Sequence, residues 1–172
     1  MNNIHHSDFI VDLVKIFKPK SYLELGLYEG ETLLKVAPLV ECVVGVDIKN
    51  MIKRKPPNVE LITTDTDSFF KNNVVAFDMI FIDANHNYDQ VKIDLQNSLK
   101  FLKWFGVILL HDTDPEEEKL FDEKNCSNSY KILEDLNDPY AFRDALCYVT
   151  LPITECGLTI VRRQDSRRCR HV

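Results

Sequence analysis

At 172 residues, with 45% hydrophobic and 28% charged side chains, the chain suits one globular domain with a continuous core and is too short for two comfortable ones. No run approaches the roughly 18 uninterrupted apolar residues of a membrane span. A formal net charge of -6 argues against broad nucleic-acid binding, which draws on clustered Lys and Arg.

The opening MNNIHHSDFI lacks the basic-then-apolar order of a secretory signal, so a cytoplasmic location is the expectation. Ser7 is placed to cap a first helix whose apolar stripe is Phe9, Ile10, Leu13, Val14, Ile16 and Phe17, with Pro19 as its stop. Five short apolar runs follow: YLELGL (22–27), CVVGVDI (42–48), VELITT (59–64), FDMIFI (77–82) and GVILL (106–110). Helix-length segments lie between most of them, ETLLKVAP after the first and YDQVKIDLQNSLKFL after the fourth. The latter sets Tyr88, Val91, Leu95, Leu99 and Leu102 on one face. Such alternation predicts a parallel sheet with right-handed crossovers, covered on both faces.

The end of the chain departs from this rule. LCYVTL (146–151) and LTIVR (158–162) are separated only by PITECG, too little for a crossover helix, so an antiparallel hairpin is expected. Residues 114–142 form the least regular part and the natural lid or substrate-facing insertion. There Pro115 suits the first turn of a helix, and Ser127 or Ser129 a second cap. The five cysteines (Cys42, Cys126, Cys147, Cys156, Cys169) are odd in number, scattered and without a CxxC pair, which reads as reduced thiols. The domain is expected over 1–163, with 164–172 as a basic tail. The run VRRQDSRRCRHV reads either as a solvated end or as a dock for an acidic partner.

Ligands of an open parallel sheet bind beyond the C-terminal strand ends, beside the point where strand order reverses. Five such places are polar here. ELGLYEGET offers Glu24, with Gly26 and Gly30 for close backbone approach, but is not a GxGxxG loop because Tyr28 stands at the second glycine. Asp47 follows Gly26 by 21 residues, near the separation at which an acid meets a ribose hydroxyl; a turn-forming Asp is the alternative. Asp65 and Thr66 end the third run, where helix capping competes with adenine contact. Asp83 and Asp112 end neighbouring strands and should converge, with His86 and His111 nearby, as a cation or proton-transfer site. Asn85 and Asn87 read as turn residues.

From the opening helix through ELGLYEG, GVDI, TTDT, FDMIFIDANHNYDQVKIDL and GVILLHDT to the closing hairpin, the chain resembles a class I S-adenosylmethionine-dependent methyltransferase. The pattern IDANHNYDQVKIDL with LLHDT is similar to the small-molecule O-methyltransferases that include macrolide-sugar enzymes. The resemblance implies a Rossmann-like α/β sandwich with a mostly parallel seven-stranded sheet and an antiparallel C-terminal hairpin. It implies that Glu24, Gly26, Tyr28 and Gly30 frame the methionine part of S-adenosylmethionine, that Asp47 accepts from the ribose, that Asp65 and Thr66 border the adenine, and that Asp83 also borders the cofactor. It further implies Mg2+ or another divalent cation at Asp83, His111 and Asp112, with His86 as base and Asp83 and Asp112 beside the reacting groups. His111 stands where that group has a glutamate, a poorer match to magnesium. The implied acceptor is a small molecule, with no membrane partner. A nucleotide-sugar or NAD enzyme on a related sheet, and a non-catalytic module, are the rival readings; oligomeric state is left open.

Overall fold

The computed structural model describes residues 4–122, 125–153 and 156–165. Five helices and seven strands follow one another as α1 (His6–Phe17), β1 (Ser21–Leu25), α2 (Glu31–Val36), β2 (Cys42–Asp47), β3 (Val59–Thr63), α3 (Thr66–Asn72), β4 (Phe77–Ile82), α4 (Tyr88–Phe101), β5 (Leu102–His111), α5 (Ile132–Asn137), β6 (Leu146–Leu151) and β7 (Leu158–Arg163). The sheet order is β3-β2-β1-β4-β5-β7-β6. The first five strands run parallel, and β7 pairs antiparallel with both β5 and β6. The expected mostly parallel seven-stranded sheet with its closing hairpin is therefore what forms.

Alternation of side chains along the strands builds two cores, because successive residues point to opposite faces. Leu23, Leu25, Ile80, Ile82, Ile108 and Leu110 face α3, α4 and α5, where Phe70, Leu95, Leu99 and Ile132 meet them. Tyr22, Val43, Met79, Phe81, Val107 and Leu109 face the other way, onto Ile10, Leu13 and Val14 of α1 and Leu33 and Val36 of α2. Full burial of each large apolar side chain stabilises the fold by about 1.5–3 kcal/mol before ordering costs. The central strands β1, β2 and β4 are buried on both faces for this reason, and the edge strands β3 and β6 are not.

Several local expectations change. The cap of α1 is His5, whose Nδ1 accepts from the Ser7 amide. Ser7 itself is buried and its hydroxyl donates to Glu31 of α2. Docking of α1 on α2 thus takes the hydroxyl away from the capping role. No helix starts at Pro115; a 3-10 turn spans Glu118–Phe121 instead. Ser129 caps nothing, because its hydroxyl donates to the carbonyls of Asp112 and Cys126. Leu102, assigned to a helix face by periodicity, begins β5. The carbonyls of Leu99 and Leu102 are taken by the Arg163 guanidinium, whose Nε also donates to Asp144 at 2.7 Å. Arg163 is accordingly a structural clamp and not part of a solvated basic run. Residues 166–172 of the expected tail, with Cys169, lie outside the described residues.

Candidate functional site

The register puts the chemistry on one rim. Leu25 is level with Val46 and Ile82, and Ile82 with Leu110, so β1, β2, β4 and β5 end together. The residues that follow, Gly26, Asp47, Asp83 and the pair His111–Asp112, meet at the reversal of strand order between β1 and β4. Two adjoining cavities of about 440 and 700 Å³ open there, sharing Gly26, Asp47, Ile48, Ala84 and His86.

The floor of this cleft depends on Gly26. Its φ is +84°, and a Cβ there would lie 2.0 Å from the Asp83 carbonyl oxygen. Beyond it the backbone turns over Asp47, whose Oδ2 accepts from the amides of Leu27 (2.7 Å) and Tyr28 (3.1 Å), while Oδ1 accepts from Lys49 (2.9 Å). Asp47 is thus a turn-former in fact, yet a carboxylate has about four lone-pair sites and retains room for a further donor. Tyr28 has a positive φ of 47° and is 73% exposed, so its ring stands out over the cleft entrance without packing on the core. Gly30 adopts φ +79° as the residue before α2.

Glu24 lies at the bottom of the larger cavity, 2% exposed, and accepts from the Tyr22 hydroxyl at 2.6 Å. Burial pushes its carboxyl up to about 8. At the opposite end, Asp65 and Thr66 line the smaller cavity with Gln90 and Asn85. Asp65 is also the cap of α3, accepting from the Ser68 amide at 2.7 Å. Both uses of Asp65 are compatible, since capping employs one oxygen. Asn87 caps α4 and the Asn85 side chain accepts from the Asn87 amide, which accounts for both asparagines as turn residues.

Between these ends sit two acids and three histidines. His111 Nδ1 lies 3.2 Å from Asp83 Oδ1 and 3.0 Å from Asp112 Oδ1. Burial disfavours the charge on His111, but the two carboxylates outweigh it and raise the imidazole to about 10. Asp83 moves the opposite way: burial favours its neutral form, and the His111 charge and hydrogen bond override this and lower it. His86 Nε2 is 3.0 Å from Asp112 Oδ2, and its Nδ1 meets the Asn125 carbonyl. Nδ1 donates to that carbonyl, and Nε2 faces a carboxylate oxygen, which only accepts. His6, from the first turn of α1, meets His111 with ring centroids 4.2 Å apart and planes tilted by 56°. Burial, then the His111 charge, hold His6 down at about 4.

The irregular insertion supplies the remaining wall. Asn125 meets His86, the Asn128 side chain accepts from the Tyr88 amide at 2.6 Å, and Ser129 holds the Asp112 carbonyl at 2.5 Å. Asp112 needs that hold, having a left-handed φ of 60°. Cys126 of this wall is joined to Cys156 before β7 by a disulfide. The expectation of five reduced thiols is corrected at this pair; Cys42 and Cys147 are free. A separation of 30 residues carries no pairing signal in the sequence, and the meeting of insertion and hairpin is what creates it.

Of the residues the sequence singles out, Glu24, Gly26, Tyr28, Asp47, Asp65, Thr66, Asp83, His86, His111 and Asp112 line these two adjoining cavities, and Gly30 lines neither. Sequence reasoning missed His6, which precedes the first helical apolar position and bears no spacing relation to the rim. It also missed Asn125 and Gln90, whose roles arise from contacts 39 and 24 residues away in the chain.

A family model described as a methyltransferase domain matches residues 23–113, just over half of the chain, from β1 through the end of β5. No curated protein sequence matches. Among solved structures, the chain is similar to the SAH-bound methyltransferase PaMTH1 of Podospora anserina, at 20% identity and a TM-score of 0.73 over 93% of this chain and 78% of that one. It is similar to the O-methyltransferase of Bacillus cereus in complex with SAH, at 17% identity and a TM-score of 0.69 over 92% and 80%. A third likeness is to the SAM complex of TomG from Streptomyces achromogenes, an O-methyltransferase involved in tomaymycin synthesis (16%, 0.70, 93% and 80%). At these identities the structural likenesses speak for the fold.

Proposed function

This chain belongs to the methyltransferase-domain family, and we propose that it transfers the methyl group of S-adenosylmethionine to a hydroxyl oxygen of a small molecule. The observation that carries the reading is the single acidic rim, Glu24, Asp47, Asp83 and Asp112, around one cleft with glycines and no phosphate-binding loop. S-adenosylmethionine when bound supplies a methyl carbon made electrophilic by a sulfonium, and its ammonium adds a second positive charge. An acidic cleft attracts such a molecule and repels a pyrophosphate.

Each residue then has a task. Glu24 faces the ammonium end, Asp47 receives the ribose hydroxyls, and Asp65 and Thr66 border the adenine. Gly26 lets the backbone close under the ligand. His86 takes the acceptor proton at Nε2, where Asp112 Oδ2 at 3.0 Å stabilises the imidazolium that results, while the Asn125 carbonyl fixes the ring. Positioning of the acceptor oxygen against the methyl carbon does the rest.

A divalent cation fits this donor set. Ligand atoms of Asp83, His86 and Asp112 lie within 4.8 Å of one another, and the two carboxylates are oxygen donors suited to a hard ion. Asp83 and Asp112 would hold it in competition with the protonated His111 that lies against both carboxylates and is itself no ligand, and it would supply a Lewis acid that lowers the acceptor pKa. Among the described residues no helix is long and apolar enough to cross a membrane.

Calorimetry with S-adenosylhomocysteine and with a nicotinamide dinucleotide tests the donor; binding of the second alone overturns the reading. His86→Ala should leave S-adenosylhomocysteine affinity intact and lower methylation of small molecules in a metabolite extract by about 100-fold or more. Equal loss of both counts against His86 as base, and binding without any methylated product favours a non-catalytic module.

A further inference from the structure

Cys126, Cys156 and Asp112 bring two sulfurs and a carboxylate together, their ligand atoms within 4.8 Å of one another. We propose that this trio, once the disulfide is reduced, is a binding site for a thiophilic divalent cation such as Zn2+, so that this wall of the larger cavity answers to both thiol redox state and metal. The proposal does not rest on the methyl-transfer reading.

Three features support it. First, the scaffold does not depend on the sulfur–sulfur bond. The Asp114 amide donates to the Cys156 carbonyl at 2.8 Å, and the Ser129 hydroxyl bridges the carbonyls of Asp112 and Cys126 at 2.5 and 2.7 Å. The strand end, the insertion and the hairpin are thereby held beside one another by bonds that reduction leaves alone. Second, the pair is reachable. Cys126 is fully buried, but Cys156 is only partly so and lines the 700 Å³ cavity, through which a small thiol or an ion can arrive. Third, the donors match. Two thiolates with a carboxylate form a soft-to-borderline set that favours zinc over magnesium, and three protein ligands leave one position open toward the cavity. Asp112 already receives His111 on one oxygen and His86 on the other, and a carboxylate has lone pairs to spare for a cation.

The chemistry balances. Two molecules of a small thiol such as glutathione reduce the disulfide to two thiols and leave as one glutathione disulfide. Binding of Zn2+ then forms two sulfur–zinc bonds and releases one proton from each thiol. The consequence falls on Asp112 and Asn125, which flank the pair and also contact His86.

The test uses the full chain carrying Cys42→Ser, Cys147→Ser and Cys169→Ser, so that only the pair can supply thiols. Reduced protein should take up Zn2+ one-to-one in calorimetry and elemental analysis. The oxidised form should bind at least about 100-fold more weakly, beyond what loss of a supporting group costs. Co2+ added to the reduced protein should give a thiolate-to-cobalt charge-transfer band. Because Cys126 sits in the core, Cys156→Ser is the informative ligand variant, and with one thiolate left it should cut that band to about half or less. Equal affinity in the two redox states, or bound Co2+ without the band, would assign the ion elsewhere and overturn the proposal. So would an unchanged spectrum in Cys156→Ser.

Discussion

Replacing Glu24 by Gln isolates an ionisable group that the fold buries. Glu24 is 2% exposed, and burial moves its carboxyl from 4.5 to about 8. Below pH 4.5 folded and unfolded chains both carry the proton and no penalty exists. From there up to about 8 the unfolded chain ionises while the folded one does not, so stability falls as pH rises, at about 1.36 kcal/mol per pH unit. Between pH 5 and pH 8 this one group should remove about 3–4 kcal/mol. Glu24→Gln keeps an acceptor for the Tyr22 hydroxyl but cannot titrate. Urea or thermal unfolding of both proteins at pH 5 and pH 8 gives the comparison, in which groups common to both cancel. The variant should gain about 10 °C in Tm over the wild type at pH 8 and little at pH 5. In calorimetry it should bind S-adenosylhomocysteine more weakly, and wild-type binding near pH 7 should release a proton as the ammonium meets the carboxyl. Parallel stability curves for the two proteins across this range would refute the reasoning, because they would mean that Glu24 is not held neutral by burial.

Three further outcomes are expected. Gly26→Ala combines a left-handed φ with a Cβ 2.0 Å from the Asp83 carbonyl, so it should cost more than about 2 kcal/mol and abolish S-adenosylhomocysteine binding, read by unfolding and calorimetry. Asp94 in α4 is wholly buried, lifted by burial to about 6, and its Oδ2 has no hydrogen-bond partner. Asp94→Asn should therefore stabilise the protein by about 2 kcal/mol at pH 7, with the gain vanishing below pH 4, in the same unfolding assay. Ser129→Ala removes the donor to the carbonyls of Asp112 and Cys126; a loss of about 1–3 kcal/mol is expected, with greater amide exchange over 125–131.

Periodicity and punctuation determined a great deal without any structure. Runs such as FDMIFI and GVILL are apolar at every position that a twice-covered strand must bury. Their spacing forced parallel crossovers, and PITECG forced a hairpin. Parallel strands that end level deliver whatever follows them to one rim, so Asp47, Asp83 and Asp112 were legible as a group from their places after apolar runs. What stayed hidden depends on segments that meet only after folding. The Cys126–Cys156 bond, the tilted ring contact of His6 with His111 and the Asn125 contact to His86 join parts of the chain with no common period. The Ser7 hydroxyl was free to cap a helix until α2 offered Glu31, and Arg163 was one more tail arginine until the end of α4 presented carbonyls to it. Local sequence sets which conformations are cheap for a few residues at a time, whereas hydrogen-bond partners and sulfur pairs are decided by which distant groups the packed sheet brings within reach.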